Sequence, residues 1–250
     1  MLLAAARESR QADGMELAND ARVAFVCAMP MELTPLVEKL SLTETKVGDV
    51  TVHSGTLHGR EVVAIVTGMG VDYASSGTAA LLDAMPVDHV VVVGITGGME
   101  NETPIGTLIL PELVVHSVTG AEYRPAPLGE GTPHGKMVTT VGLTTDDGAM
   151  AELRAQGVVS LDMETAAIAH LCDERGVPWS VFRVISDRAS DGSVDEEVFK
   201  MSNQDGTPNP KAVAAYFLKH PHHVPRMAKL AKGARLATEA AADAAINAVR

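Results

Sequence analysis

The sequence predicts an α/β domain in which helices cover both faces of a mostly parallel, doubly wound sheet. Short apolar runs alternate with segments of helical periodicity, which is typical of parallel sheets built from strand–helix–strand units. The apolar runs are nearly continuous in Val and Ile, which indicates strands buried on both faces. At 250 residues the chain is long enough for one large domain of this class.

Short apolar or alternating runs predict the strands. The first run, 22–28, is short enough for a buried strand, whereas 50–57 alternates as a half-exposed strand does. The run 108–116 is interrupted by Pro111, and the Gly- and Pro-rich segment 117–136 is expected to be a loop. The predicted strands are 22–28, 50–57, 62–66, 89–93, 108–116, 138–143, 158–161 and 180–185.

Apolar residues that recur every three or four positions predict the helices. Leu33, Leu36, Val37 and Leu40 have this spacing in the first of them. The predicted helices are 29–40, 73–85, 147–155, one from 163, and others from about 210 onward. Residues 224–250 are rich in Ala and predict a long helix or a helical hairpin, packed on the body of the protein or on a second subunit.

No change of composition or long linker divides the chain, so we expect a single domain over 22–220. A flexible extension is expected over 1–21 and a helical tail over 221–250. The apolar start, 1–6, is shorter than the roughly 7–15 residues of a signal-peptide core. No run reaches the roughly 18 apolar residues of a membrane span, and a cytoplasmic protein is therefore expected.

The charge balance argues against several classes of partner. The chain has 20 basic and 32 acidic residues, a net charge of −12, whereas nucleic acids and anionic membranes require a basic face. The aromatic content of 3% is also low for a base-stacking surface. Cys27 and Cys172 each lie in an apolar run, which predicts core residues in a reducing compartment. We therefore expect a small-molecule ligand, no nucleic acid and no membrane.

The segment 160–170 places two carboxylates at the start of an otherwise apolar helix. Asp162 and Glu164 follow a predicted strand, and Asp187 follows the predicted strand 180–185. Ligands of open α/β sheets bind beyond the carboxyl ends of the strands, where a sequence that only builds a core has no need for acids. Glu164 and Asp187 therefore predict a polar site between them, suited to glycosidic or nucleoside chemistry.

Each of these polar residues also has a structural explanation that stays open. Glu32 and Asp162 could be acids of a first helical turn, or an N-cap in the case of Asp162. Asp187 could cap a helix after Ile185, and Arg183 could be a plain ion-pair partner of one of the acids. Their joint occurrence at successive strand ends is what favours a site.

Three common site signatures are missing from the sequence. The first turn, 27–32, contains no glycine, so the G-x-G-x-x-G pattern of a dinucleotide site is absent there. No serine stands in a G-x-S-x-G elbow. His220, His222 and His223 lie in a Pro-flanked connector without an H-x-x-x-H pattern or a Cys partner. We expect them to be loop residues, and we expect neither a metal nor an organic cofactor.

Five segments carry a resemblance to a known family: 28–32 (AMPME), 67–70 (TGMG), 93–98 (VGITGG), 161–165 (LDMET) and 183–187 (RVISD). In this order they resemble the purine nucleoside phosphorylase/uridine phosphorylase superfamily, and its methylthioadenosine/S-adenosylhomocysteine nucleosidase branch in particular. The resemblance spans roughly residues 22–190. It implies a three-layer fold, with a mostly parallel, mixed central sheet flanked by helices, and a homodimer.

The resemblance also implies roles for the polar residues. Asp187 would be the general acid that protonates N7 of a purine, and Glu32 would orient or deprotonate the attacking water. Glu164 would hold the ribose hydroxyls. The remaining residues expected at the substrate are Met29, Thr96, Gly97, Asp162, Met163, Arg183 and Ser186.

The chain departs from the family pattern at three places. Phosphorylases of this superfamily hold phosphate with arginines, one of them at the position of Val92, so water is favoured as the nucleophile. Ile95 stands where nucleosidases usually have Ser. Segment 141–146 lacks the Phe that normally supports the adenine, which leaves the identity of the base open.

The sequence thus predicts a nucleosidase that cleaves a 5′-modified purine nucleoside into free base and sugar. This cleavage builds positive charge on the sugar and negative charge on the base, so it requires carboxylates near the ribose and an acid at the base. Two alternatives stay open. One is a phosphorylase that uses arginines such as Arg60 or Arg124 from a neighbouring subunit. The other is a nucleoside-binding protein that has lost catalysis.

Overall fold

A mixed sheet of 11 strands lies at the centre of the computed structural model, which describes residues 17–18, 20–143, 146–188 and 194–249. The strands are β1 Val23–Cys27, β2 Thr43–Val47, β3 Val50–Leu57, β4 Arg60–Val66, β5 His89–Gly98, β6 Leu108–Ile109, β7 Leu113–His116, β8 Glu122–Tyr123, β9 Lys136–Thr139, β10 Val158–Asp162 and β11 Trp179–Arg188. The helices are α1 Pro30–Leu40, α2 Val71–Ala84, α3 Asp147–Ala155, α4 Thr165–Arg175, α5 Glu196–Phe199, α6 Pro210–Lys219 and α7 Val224–Ala248, with a 3₁₀ helix at Pro221–His223. The expected α/β class with a mixed sheet is confirmed. Most of the expected extension, 1–16 and 19, lies outside the described residues.

Strand β5 is the centre of the sheet. It pairs in parallel with β1 and with β11, and its last residues pair antiparallel with β10. The strands run in the order β2-β3-β4-β1-β5-β10-β9-β7-β8, and β11 lies between β5 and β6. The carboxyl ends of β1, β5 and β11 therefore meet at one edge.

Strand β1 shows why its run is continuously apolar. Alternate side chains of a strand point to opposite faces of the sheet. Phe25 and Cys27 belong to a core cluster with residues of α1 and α7. Ala24 and Val26 belong to a second cluster with residues of α2 and α4. Both faces of the sheet are thus covered by helices, as the sequence predicts.

The Ala-rich segment after residue 224 forms one helix of 25 residues, α7, and not a hairpin. Its inner residues Ala237, Ala241 and Ala245 are fully buried in the core that β5 and β11 also contribute to. Small side chains let the helix approach the sheet closely. The helix therefore packs on the body of the protein; the division at residue 220 stays a prediction. No helix in the described part of the chain is long and apolar enough to cross a membrane.

The structure corrects several predicted boundaries. The predicted strand 108–116 is two strands, β6 and β7, which pair with β11 and β9 respectively. Pro111 separates them because it has no N–H to donate to a ladder. Strand β2 was not predicted, since its residues are almost all exposed. Strand β8 lies within the predicted loop 117–136, and β11 continues beyond its predicted end to Arg188.

Candidate active site

A cavity of about 450 Å³ opens at the carboxyl ends of β1, β5, β10 and β11. Small-molecule pockets have volumes of roughly 300–1,000 Å³. All the site residues predicted from the sequence line this cavity: Met29, Glu32, Thr96, Gly97, Asp162, Met163, Glu164, Arg183, Ser186 and Asp187. The structure brings these residues together; their individual roles stay predictions.

Glu32 lies in the first turn of α1, but it is not the exposed acid that this position often holds. Its side chain is buried, and Oε2 accepts hydrogen bonds from the backbone N–H groups of Ala28 (2.8 Å) and Met29 (3.0 Å). Its Oε1 accepts a third from the N–H of Ile95 (2.8 Å). Burial raises the pKa of the Glu32 carboxyl, although Arg183 and these N–H donors act in the opposite direction.

Arg183 binds three carboxylates at once. It is 2% exposed, and its Nη1 lies 3.4 Å from Oε1 of Glu32 and donates to the carbonyl of Ile95 at 3.0 Å. Its Nη2 donates to Oδ2 of Asp162 (2.9 Å) and Oε2 of Glu164 (3.2 Å). Burial opposes its charge, but the three carboxylates outweigh burial and raise the pKa of the guanidinium. Arg183 is thus an ion-pair partner, as one sequence interpretation held, for three acids instead of one.

Asp162 connects this network to the start of α4. Its Oδ2 accepts from the backbone N–H of Thr165 (2.9 Å) and from the Thr165 hydroxyl, in addition to Arg183. Its Oδ1 accepts from the hydroxyl of Thr139 at 2.6 Å. Both oxygens are therefore engaged within the protein, and Asp162 satisfies donors at the helix start in the manner of a cap. Its contact with substrate stays a prediction.

Glu164 is held between the glycine turn after β4 and the arginine. Its Oε1 accepts from the N–H of Gly70 at 2.8 Å, and its Oε2 accepts from Arg183. Burial raises the pKa of the Glu164 carboxyl to about 7; Asp162 and Glu32 contribute to the rise, and Arg183 and the Gly70 N–H oppose it. Gly70 has a φ of 92°, which favours glycine and allows its N–H to serve the carboxylate.

The raised pKa of Glu164 makes folding stability depend on pH. A carboxyl that binds its proton more tightly when folded stabilises the protein fully below its unfolded pKa of 4.5, and this stability is lost as the pH rises through about 7. We therefore expect Glu164→Gln to flatten the decline of unfolding free energy across this range, as measured by urea unfolding at several pH values. The exposed Glu152, changed to Gln, is the matched control. Equal pH slopes in wild type and Glu164→Gln would contradict the assignment.

Asp187 lies within β11, where Asp187 is paired with Gly97 of β5. The strand continues to Arg188, and the N-cap of the next described helix, α5, is Asp195. The interpretation of Asp187 as a helix cap is therefore wrong. The hydroxyl of Ser186 donates to Oδ1 of Asp187 at 2.5 Å.

The comparisons with known proteins agree with this geometry. Residues 22–139 and 128–219 match the profile of the phosphorylase superfamily. The chain belongs to the phosphorylase superfamily. It is 31% identical over 199 residues to the 5′-methylthioadenosine/S-adenosylhomocysteine nucleosidase of Chromohalobacter salexigens, a match that covers 67% of this chain and 85% of that protein.

Solved structures share the fold at low sequence identity. A methylthioadenosine/S-adenosylhomocysteine nucleosidase from Colwellia psychrerythraea, in complex with adenine, superposes with a TM-score of 0.69 and 22% identity over 92% of this chain and 95% of that one. The futalosine hydrolase of Helicobacter pylori superposes with a TM-score of 0.66 and 16% identity over 89% of this chain and 94% of that one. These likenesses support the phosphorylase-superfamily fold.

Arg60, one of the two arginines suggested as phosphate ligands, is ruled out by its hydrogen bonds. Arg60 is 7% exposed, and it donates to the backbone carbonyls of Leu17, Ala18 and Val249. Its guanidinium thus ties the start of the described chain to the end of α7 and does not reach into a neighbouring site. Arg124 is exposed, and its use as a phosphate ligand by a neighbouring subunit stays an alternative.

The sequence did not reveal the apolar wall of the cavity. Four residues of α7 at helical spacing line it, together with residues of α5 and the segment after it: Met227, Leu230, Ala231, Ala234, Val198, Phe199 and Met201. Phe199 supplies an aromatic ring, although segment 141–146 has none. The i, i+3, i+4, i+7 spacing in α7 was the available signal, but it also fits an ordinary core face.

Gly94 is a further site residue that the sequence showed only as part of a turn. A Cβ at this position would lie 2.1 Å from Oε1 of Glu32 and 2.7 Å from Nη1 of Arg183. Only glycine therefore leaves space for this ion pair at the floor of the cavity.

The three clustered histidines lie outside the cavity lining. His220 and His223 stack with ring planes 7° apart and centroids 4.9 Å apart. One ring nitrogen from each of the three histidines nevertheless lies within 4.8 Å of the other two, a spacing at which they could share a metal ion. His223 also contacts the hydroxyl of Tyr216, and His220 contacts Glu197. His222 and His223 lie in a short 3₁₀ helix instead of a loop, whereas His220 lies in the connection before it, as expected. The expectation of no metal stays a prediction.

Proposed function

We propose that this protein hydrolyses the N-glycosidic bond of a purine nucleoside and releases the free base and the sugar. The support is a cavity that holds four acids and one arginine paired with three of them, in a chain related to methylthioadenosine/S-adenosylhomocysteine nucleosidases. Another methylthioadenosine/S-adenosylhomocysteine nucleosidase, from Actinobacillus succinogenes, is 28% identical to this chain over 201 residues.

The acids match the charge that develops during cleavage. As the bond to the base lengthens, the sugar becomes cationic and the base gains electrons. The buried carboxylates of Glu32 and Glu164 lie where they can stabilise a cationic sugar at short range, with little screening by water. In this proposal Glu164 accepts hydrogen bonds from the ribose hydroxyls.

Asp187 acts as the general acid at N7 of the purine. Protonation at N7 lets the base leave as a neutral molecule, which lowers the barrier to cleavage. The Ser186 hydroxyl already occupies one oxygen of this carboxyl, which fixes its orientation. The Asp187 carboxyl, held in this way, is the group that we assign to N7 of the base.

Glu32 orients the water that attacks the sugar. Its backbone donors and Arg183 hold the carboxylate in place, and burial keeps its pKa above the ordinary value. A base with a raised pKa takes up a proton more readily near neutral pH. Ile95 contributes its N–H to Glu32 and no hydroxyl to the water, in contrast to the Ser that nucleosidases usually have here.

The ion pairs of Arg183 are the reason that we propose water, and not phosphate, as the nucleophile. Arg183 is the only Lys or Arg among the described residues that line the cavity, and it is already paired with three carboxylates. A phosphate dianion would require free cationic donors. Bringing it beside these acids would instead add like charge in a poorly screened environment.

The apolar wall favours a nucleoside with an uncharged 5′ group close to the ribose. Methylthioadenosine and S-adenosylhomocysteine, which the names of the relatives include, are therefore the first substrates to test. The proposal thus includes adenine as the base and a thioether as the 5′ group.

We also propose a homodimer in the cytoplasm. The free cysteines Cys27 and Cys172 are buried, which suits a reducing compartment. Exposed apolar side chains, among them Tyr73 (43%) and Val118 (68%), offer surface for a second copy. Sedimentation velocity across a concentration range distinguishes a dimer from a monomer.

Product analysis tests the proposed reaction. The protein is incubated with methylthioadenosine, S-adenosylhomocysteine, adenosine, inosine or guanosine, with and without phosphate, and the products are separated by chromatography. We expect free base in the absence of phosphate. Asp187→Asn protein, purified in the same way, controls for nucleosidase from the expression host. Release that requires phosphate would establish a phosphorylase, and tight binding without any release would establish a binding protein.

A further inference from the structure

Strand β11 contains a bulge next to Asp187. Ile185 lies opposite Thr96 of β5, and Asp187 lies opposite Gly97, so Ser186 is an extra residue in the ladder. Successive side chains of a regular strand point to opposite faces. Yet Ser186 and Asp187 both line the cavity. The bulge thus re-aims the end of the strand, as bulges beside active sites commonly do.

Helix α7 touches this bulge at a glycine. A Cβ on Gly233 would lie 2.8 Å from the backbone carbonyl oxygen of Ser186 and 3.4 Å from Cγ2 of Ile105. The nearer distance is too short for a carbon beside a backbone oxygen, so any side chain at 233 would displace the bulge or the helix. Glycine is, after proline, the least favourable residue inside a helix, so helix propensity does not explain its presence.

The same turn of α7 also faces the cavity. Leu230, Ala231 and Ala234 line the cavity, while Gly233 lies against Ser186. The helix therefore contacts both the space for the substrate and the strand that bears the acid. A shift of the helix at Gly233 would reach Asp187 through a single peptide unit, because Ser186 precedes it in the chain.

We propose that Gly233 is a positioning residue that seats the Ser186 bulge and thereby places the Asp187 carboxyl at the base. The inference rests on the proposed function of Asp187 as general acid. A general acid must lie within hydrogen-bond reach of its target, about 2.6–3.2 Å, so a displacement of several tenths of an ångström matters. Gly233 acts through the backbone of Ser186 and touches no substrate.

Gly233→Ala tests the inference, with Lys232→Ala, an exposed neighbour outside the cavity lining, as the matched control. We expect kcat for base release to fall about 10- to 100-fold, which is the scale of a small misplacement of a catalytic group. We expect KM to change little, and the alkaline limb of the kcat–pH profile to move, because that limb reports the acid in the complex. Circular dichroism should show a folded protein, since alanine is a better helix former than glycine.

Other outcomes would overturn the inference. They are an unchanged kcat, a kcat that falls equally at every pH with the limb unmoved, or a variant that does not fold, since each gives Gly233 no specific role at the acid. Asp187→Asn, measured in parallel, separates this failure from that of the proposed function. If wild type releases no base, or Asp187→Asn is fully active, the proposed function fails. If Asp187→Asn is inactive and Gly233→Ala behaves as Lys232→Ala does, only the inference fails.

Discussion

Replacing Asp187 with asparagine should lower kcat for base release by about 10²–10⁴-fold, the range that general-acid help contributes. Asparagine has nearly the same shape and can still accept the hydrogen bond from Ser186, but it has no carboxyl proton to give to the base. The folded structure should therefore be retained. Steady-state assays of base release measure the first effect, and thermal unfolding tests the second.

Ser186→Ala is the matched comparison for this variant. It removes the hydroxyl that orients the acid but leaves the acid itself. We expect a smaller loss of kcat than in Asp187→Asn. Full activity in Asp187→Asn would show that another group protonates the base or that the base leaves without protonation.

Replacing Arg183 with methionine should lower the unfolding free energy by about 3–5 kcal/mol at pH 8, since removal of one partner leaves buried charge uncompensated. Three carboxylates would then share the floor of the cavity with no cation among them. The folded pKa values of Glu32 and Glu164 would rise further, so protonation at lower pH would relieve the repulsion. The defect should therefore shrink at pH 5, and urea unfolding at both pH values measures it.

Arg175→Met is the control for the loss of an arginine ion pair. Arg175 pairs with Asp83 on the surface, where the two side chains are 33% and 68% exposed. Such pairs contribute about 0–1 kcal/mol, with little dependence on the pH range concerned. A similar loss in the two variants would mean that the buried cluster is not held by its arginine.

The location of the site was predictable because strand ends are visible in the sequence. Glu164 and Asp187 each follow an apolar run. Strand β11 is parallel to β5, so Asp187 lies at their common carboxyl edge, and the end of β10 pairs antiparallel with the last residues of β5, which brings Glu164 to the same edge. Pairing of β1, β5 and β11 then brings Glu32 to the same place. The contacts of each acid were not predictable from spacing, because they depend on which carboxylates Arg183 reaches.

Close approaches between distant elements were not predictable. Gly94 and Gly233 look like ordinary glycines in the sequence, and their importance comes from atoms that lie 2.1 Å and 2.8 Å from an added Cβ. The apolar spacing on the cavity face of α7 looks the same as that of a core face, because cores and pocket walls use the same apolar residues. Strand β2 carries no signal, because its exposed residues form no apolar pattern.

The pairing of β5 with strands from distant parts of the chain affects how the protein folds. Its neighbours β1, β10 and β11 come from separate parts of the chain, and each carries or precedes an acid or the arginine of the cavity. Contacts between residues so distant in sequence raise the contact order and slow folding. No nascent fragment that stops before β11 contains Arg183 or Asp187. Catalytic activity therefore reports complete folding, and partly folded chains should be inactive.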